Sequence, residues 1–181
     1  MTSSVDMLEH LLTHPLRFLS SALPVALTLL LVMLANMPVS FTGGVLPAPV
    51  LALAAVYFWV LVRPDLMRPF AVLMIGLMED LLSGGPPGLW AAGFLAAYAL
   101  TDRQRETFAG LAGAGALLGF AGAMLLAGAT AYVLATMIYL RFAPLAPLLL
   151  ESVSTVVFYP LVAFSMGWVH KKIVGPMRGG E

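Results

Sequence analysis

Six long apolar runs, at about residues 19–37, 47–62, 69–83, 87–101, 107–140 and 145–169, constrain this chain more than any single motif does. A hydrocarbon layer about 30 Å thick takes roughly 20 apolar residues of helix, and backbone groups left unpaired in lipid are costly, so such runs are expected to be helical spans. Composition points the same way: 61% of residues are hydrophobic, 10% are charged, and the mean hydropathy of +0.97 exceeds what a soluble core needs. The expected fold class is an all-α integral membrane protein with six transmembrane helices. With no cysteine, a disulfide, a thiolate metal site and a cysteine nucleophile are excluded, and a net charge of zero gives no general affinity for nucleic acid.

Proline and basic residues order the spans. Pro47, Pro49, Pro69, Pro86, Pro87, Pro144 and Pro147 fall at expected helix starts, where a missing N–H is tolerated, whereas Pro24 and Pro160 fall inside spans and are expected to kink them. Basic residues near span ends favour the cytoplasmic side. With six spans that side collects Arg17, Arg63, Arg68, Arg103, Arg105, Lys171, Lys172 and Arg178, leaving only Arg141 outside. Splitting the fifth run into two spans would expel Lys171, Lys172 and Arg178, so the six-span reading with both termini cytoplasmic is preferred. The count leaves open whether the short third and fourth segments cross fully or form a re-entrant hairpin. The fifth, from 107 to 140, would reach about 51 Å as one helix, so it must tilt, break or project.

Residues 1–18 set Val5, Leu8, Leu11 and Leu12 against Asp6, Glu9, His10 and Thr13, an amphipathic pattern suited to a membrane surface. The leader is acidic where a secretory signal is basic, and is not expected to be one. The expected organisation is an interfacial segment at 1–18, a membrane domain at 19–169 and a short basic cytoplasmic tail at 170–181.

Ionisable groups within spans are costly and usually face the protein interior, which singles out Glu79, Asp80 and Glu151. Adjacent helical residues lie 100° apart, so Glu79 and Asp80 cannot share a face, while Gly76, Asp80 and Gly84 can. Two acids so arranged make a poor acid–base pair. A carboxylate at Asp80 is instead expected to cap the amides of the turn "SGGPPG" and the start of the next helix, with a ligand or partner contact as the alternative. Glu151, Thr155 and Tyr159 form a polar stripe with Ser154 beside it. They read either as a hydrogen-bonded helix contact or as a polar pocket, with Arg141 the nearest ion partner in sequence. Gly115, Gly119, Ala123, Ala127, Ala131 and Ala135 make a small-residue stripe at spacing four, for packing within the chain or for docking another membrane protein. His10, His14 and His170 share no metal-ligand spacing with a carboxylate, so no metal is expected. No phosphate-binding loop or nucleophile elbow appears, and no cofactor is expected.

The Arg-Pro in "YFWVLVRPD" followed by "GLMEDLLSGGPPG" resembles the rod shape-determining protein MreD family. Its central pattern, Gly-Leu-x-x-Asp-Leu-Leu-x-Gly-x-Pro-x-Gly, is matched by Gly76, Leu77, Asp80, Leu81, Leu82, Gly84, Pro86 and Gly88. Glu79 stands where the family usually has an apolar residue, and Pro87 where a leucine-like residue is usual. The resemblance implies a non-enzymatic scaffold subunit in a bacterial inner membrane. It would serve sidewall peptidoglycan synthesis with MreC, with RodA and a class B penicillin-binding protein, and indirectly with the MreB cytoskeleton. It also implies a fold similar to the substrate-binding component of energy-coupling-factor transporters. A small-solute-binding transporter subunit, using Glu79, Asp80 and Glu151, is the alternative.

Overall fold

A computed structural model of the chain describes residues 22–37, 47–109, 113–142 and 144–174. The expected interfacial segment with His10 and His14, the loop at 38–46, and the tail beyond residue 174 with Arg178 lie outside the described residues. The architecture is all helical, with no strand among the described residues. In chain order the helices are α1 (Ala22–Ala35), α2 (Leu51–Val62), α3 (Pro69–Ser83), α4 (Leu89–Arg103), a short α5 (Arg105–Ala109), α6 (Ala114–Tyr139) and α7 (Leu145–Val169). A π-helical turn, His170–Val174, continues α7. Two helical stretches, Ala114–Tyr139 and Leu145–Ile173, are long and apolar enough to cross a membrane.

Helix α2 forms the centre. Ala52, Leu53, Ala54, Ala55, Val56, Tyr57, Trp59 and Val60 are all buried, so the helix is enclosed on almost every side, as expected of one that is apolar all round. Its main neighbours are α7 and α4, with α5, α6 and α3 also touching it. It begins at Leu51 rather than at the expected residue 47, and its 12 residues give it a length of about 18 Å. The reason is local: the residue before a proline is pushed out of the helical region, which disfavours helix at Ala48 ahead of Pro49. Val50 is also non-helical, with φ −79° and ψ 69°. Its N–H donates to the Thr155 hydroxyl of α7 at 2.9 Å, so the extended entry is satisfied by protein.

Helices α3 and α7 begin and end at the expected residues, where Pro69 and Pro144 mark their starts, and α4 runs two residues later than expected. The overlong fifth segment is interrupted at Gly113, whose φ of 58° makes it the N-cap of α6, and a short α5 lies ahead of it. Pro160 sits inside α7, which stays helical through it. Pro24 lies at the start of the described part of α1, where its carbonyl accepts from the Thr28 hydroxyl at 2.7 Å.

Close backbone approach holds α3, α4 and α6 together. A Cβ at Gly76 would lie 2.5 Å from the Cα of Ala91 on α4, and one at Gly93 would lie 2.9 Å from the carbonyl oxygen of Ala127 on α6. The small-residue stripe of α6 faces this contact: Gly119, Ala123, Ala127 and Ala131 are buried, and Gly115 and Ala135 are half-buried. Around Ala127 the stripe is therefore occupied by α4 of the same chain.

The surface reverses the usual partition. Leu118, Leu125 and Val133 on α6 and Val153, Leu161 and Phe164 on α7 are exposed, while Thr28, Glu79, Asp80, Thr101 and Thr155 are buried. The ends of the bundle also differ. Val50 bonds Thr155 at one end of α2, and Trp59 meets the His170 ring at the other with centroids 6.2 Å apart, so α2 and α7 run in the same sense.

Candidate functional site

The α3–α4 turn is built around one carboxylate. Helix α3 ends where Gly84 turns left-handed at φ 73°, and α4 is entered through Gly88 at φ 99°, values that side-chain-bearing residues rarely adopt. Asp80, fully buried one turn before the end of α3, reaches across this turn. Its Oδ2 accepts the N–H of Gly88 at 2.8 Å and of Ala91 at 3.2 Å, and its Oδ1 accepts the N–H of Trp90 at 2.6 Å. These are among the N–H groups that a helix start leaves without intrahelical partners, and they carry its partial positive charge. The Ser83 hydroxyl donates to the Asp80 carbonyl at 3.3 Å, and the Pro86 carbonyl accepts from Leu89 N–H at 3.4 Å. Gly76 lies one turn before Asp80 and lets α4 approach closely enough for these bonds.

Glu79 points elsewhere, as adjacent helical residues must. It is 4% exposed, and its Oε1 accepts from the side-chain amide of Asn36, the residue just after α1, at 2.9 Å. Asn36 Nδ2 also donates to the Val32 carbonyl at 3.0 Å, which fixes the amide from behind. Glu79 Oε2 has no hydrogen-bond partner among the described residues. Across the bundle the Glu151 carboxyl of α7 lies near enough to Glu79 to interact with it electrostatically. The Glu151 carbonyl accepts from the Thr155 hydroxyl at 2.6 Å, and that hydroxyl in turn receives Val50 N–H. Asn36, Glu79, Glu151 and Thr155 thus gather polar groups from just after α1, from α3 and from α7 at the end of the bundle that carries the α3–α4 turn.

Two expected members lie outside this group. Arg141 does not pair with Glu151. The chain leaves α6 through a left-handed Leu140 at φ 51°, and the Arg141 guanidinium sits 6.0 Å from the centroid of the Tyr139 ring. Tyr159 belongs to an aromatic cluster instead, stacked on Phe120 with centroids 4.5 Å apart and edge-on to Tyr57 at 5.7 Å. Conversely, the sequence reading passed over Asn36, although it is the single asparagine of the chain and closes an apolar run.

At the opposite end, Arg63 donates to both oxygens of Asp65 at 3.0 and 2.8 Å, and these bonds hold the Asp65 carboxyl below the usual carboxylate range. Lys172 lies over Trp168 at 4.4 Å. Among the described residues no group of three or more histidine, aspartate and glutamate side chains is arranged to hold a metal ion. Comparison of the chain with known protein families, with curated proteins and with solved structures finds no match.

Proposed function

We propose that this chain is a six-span scaffold of a bacterial cytoplasmic membrane, of the MreD type, that assembles other membrane proteins and has no catalytic chemistry of its own. The observation that carries this reading is the use made of the motif. Gly76 admits α4, Asp80 binds three backbone amides, and Gly84 and Gly88 supply the two left-handed turns. Each motif residue with a visible task serves the α3–α4 hairpin, and Asp80 has no free oxygen with which to act on a substrate. Apolar side chains outside and polar ones inside suit a chain solvated by lipid on all sides. The short α1 to α4 would then cross where the bilayer is thinned around the protein, or be shielded by α6, α7 and partner subunits.

The proposed partners are MreC, RodA and a class B penicillin-binding protein, reached directly or through MreC, with the MreB cytoskeleton linked indirectly. The proposed arrangement of spans is that of energy-coupling-factor substrate-binding components. Pull-down of the tagged full chain from bacterial membranes, followed by mass spectrometry, tests the assembly role. Recovery of other integral membrane proteins of cell elongation supports the scaffold. The buried carboxyls Glu79 and Glu151 favour a second reading, a solute-binding transporter subunit, and that reading requires an ATPase module and a retained small molecule in the same eluate.

Orientation is tested separately. Without native cysteine, single cysteines can be probed with an impermeant thiol reagent. A cysteine replacing Gln104 is expected to stay unlabelled in intact cells, and one replacing Gly85 is expected to label. The reverse pattern would invert the proposed topology.

A further inference from the structure

Glu79 and Asp80 are neighbours in sequence and are unequally provided for. Asp80 meets three backbone N–H groups at the start of α4. Glu79 meets one neutral amide: its Oε1 accepts from Asn36 Nδ2 at 2.9 Å, and the same nitrogen donates to the Val32 carbonyl at 3.0 Å. The bond to Val32 fixes which end of the amide faces the carboxyl, so Asn36 brings a donor. Oε2 is shut off from solvent, in a side chain only 4% exposed, and has no hydrogen-bond partner among the described residues.

Among the described residues no basic side chain answers the charge that an ionised Glu79 would carry. Arg68 heads α3 and Arg103 ends α4, both away from the α3–α4 turn, and Arg105 follows directly. Arg63, Lys171 and Lys172 lie where α2 and α7 bring Trp59 to His170. Arg141 lies by the Tyr139 ring. The charged groups that do act on Glu79, Asp80 on its own helix and Glu151 on α7, are acids. An ionised carboxylate with one neutral donor in such surroundings loses far more than a neutral carboxyl with one open hydrogen bond. We propose that Glu79 holds a proton in the folded protein at neutral pH, so that the junction between the end of α1 and α3 is made by a neutral carboxyl. Oε1 then remains the acceptor for Asn36, and the proton sits on Oε2. The site binds a proton whichever membrane assembly the chain serves.

Infrared spectroscopy of the full chain in detergent tests this directly, because the carbonyl stretch of a protonated carboxyl stands apart from carboxylate bands. At neutral pH a protonated-carboxyl band is expected that shifts on isotope labelling of the glutamate carboxyls, is lost in Glu79→Gln and survives Glu151→Gln. Absence of such a band from the parent overturns the proposal, as does a band that survives Glu79→Gln or disappears with Glu151→Gln. Glu151 is half-buried, so the Glu151→Gln arm stands even where Glu79→Gln fails to fold. Melting temperature followed against pH is the second measurement. The unfolded chain gives up a glutamate proton near the ordinary pKa of about 4.3, whereas the folded chain keeps it, so the stability it contributes falls as pH rises above that value. The parent is therefore expected to lose melting temperature relative to Glu79→Gln from about pH 5 towards neutrality, and parallel pH profiles overturn the proposal. At neutral pH Asn36→Ala should lower the melting temperature equally in the parent and in Glu79→Gln, since glutamine keeps the acceptor oxygen. A fall about twice as large in the parent marks a charge-assisted bond to a carboxylate and sinks the neutral reading.

Discussion

Asp80→Ala is expected to lose most of its folded yield in detergent. The substitution removes the acceptor from the N–H groups of Gly88, Trp90 and Ala91 while leaving those groups where they are. A buried donor left unpaired costs about 1 to 3 kcal/mol, and Asp80 is fully buried, so water does not readily replace the carboxylate. Three such losses together approach the whole margin by which an ordinary domain is stable, roughly 5 to 15 kcal/mol. Asp80→Asn should fall between alanine and the parent. Its amide oxygen can keep Gly88 and Ala91, which share Oδ2, but its NH2 then faces the Trp90 N–H, donor against donor. Size-exclusion profiles and melting temperatures of the three proteins should rank parent, asparagine, alanine. An alanine variant as stable as the parent would remove the structural role assigned to this residue.

Gly93→Ala and Gly76→Ala are expected to be strongly damaging single-methyl additions. The added carbon would sit 2.9 Å from the Ala127 carbonyl oxygen in the first and 2.5 Å from the Ala91 Cα in the second, and both obstacles are backbone that cannot rotate away. Overpacking of this kind costs typically 1 to 3 kcal/mol, and here it must be relieved by moving a whole helix. Larger side chains from the other side of the contact, such as Ala123→Leu, should act in the same direction, since Ala123 is fully buried. Gly122 provides the control, because a Cβ there meets nothing within 4 Å. Gly122→Ala should be neutral or stabilising by about 0.5 to 1 kcal/mol through helix propensity. Thermal denaturation of the four variants in one detergent separates the cases; Gly93→Ala and Gly122→Ala proteins that melt alike would contradict the close α4–α6 approach.

The helix pattern was legible where a proline fixes a boundary. Pro69 and Pro144 mark the starts of α3 and α7, because a residue without an N–H is best placed where that N–H would be unpaired anyway. Paired prolines misled at α2, where Pro49 restrains the residue before it and the helix waits until Leu51. Glycines at positive φ and a carboxylate one turn back made the α3–α4 turn readable, because its contacts span only 8 to 11 residues of sequence. The Asn36–Glu79 bond joins residues 43 apart, and nothing local announces it. The stripe of Glu151, Thr155 and Tyr159 illustrates the same limit. Spacing puts the three on one face, but that face spans an electrostatic partner, a backbone N–H and an aromatic stack, which only the packed neighbours decide.

The enclosed position of α2 sets a schedule for making the protein. Val50 donates its N–H to Thr155, 105 residues further along the chain. At a synthesis rate of about 5 to 20 residues per second, the acceptor leaves the ribosome roughly 5 to 20 s after the donor. Through that interval a 12-residue helix, too short to cross a bilayer alone, has no α7 to lie against. In the proposed six-span arrangement, its residence beside the insertion machinery would therefore last until α7 arrives. A chain stopped before α7 would then leave the Val50 N–H without its Thr155 acceptor and one side of α2 uncovered, and is expected not to accumulate as a stable half.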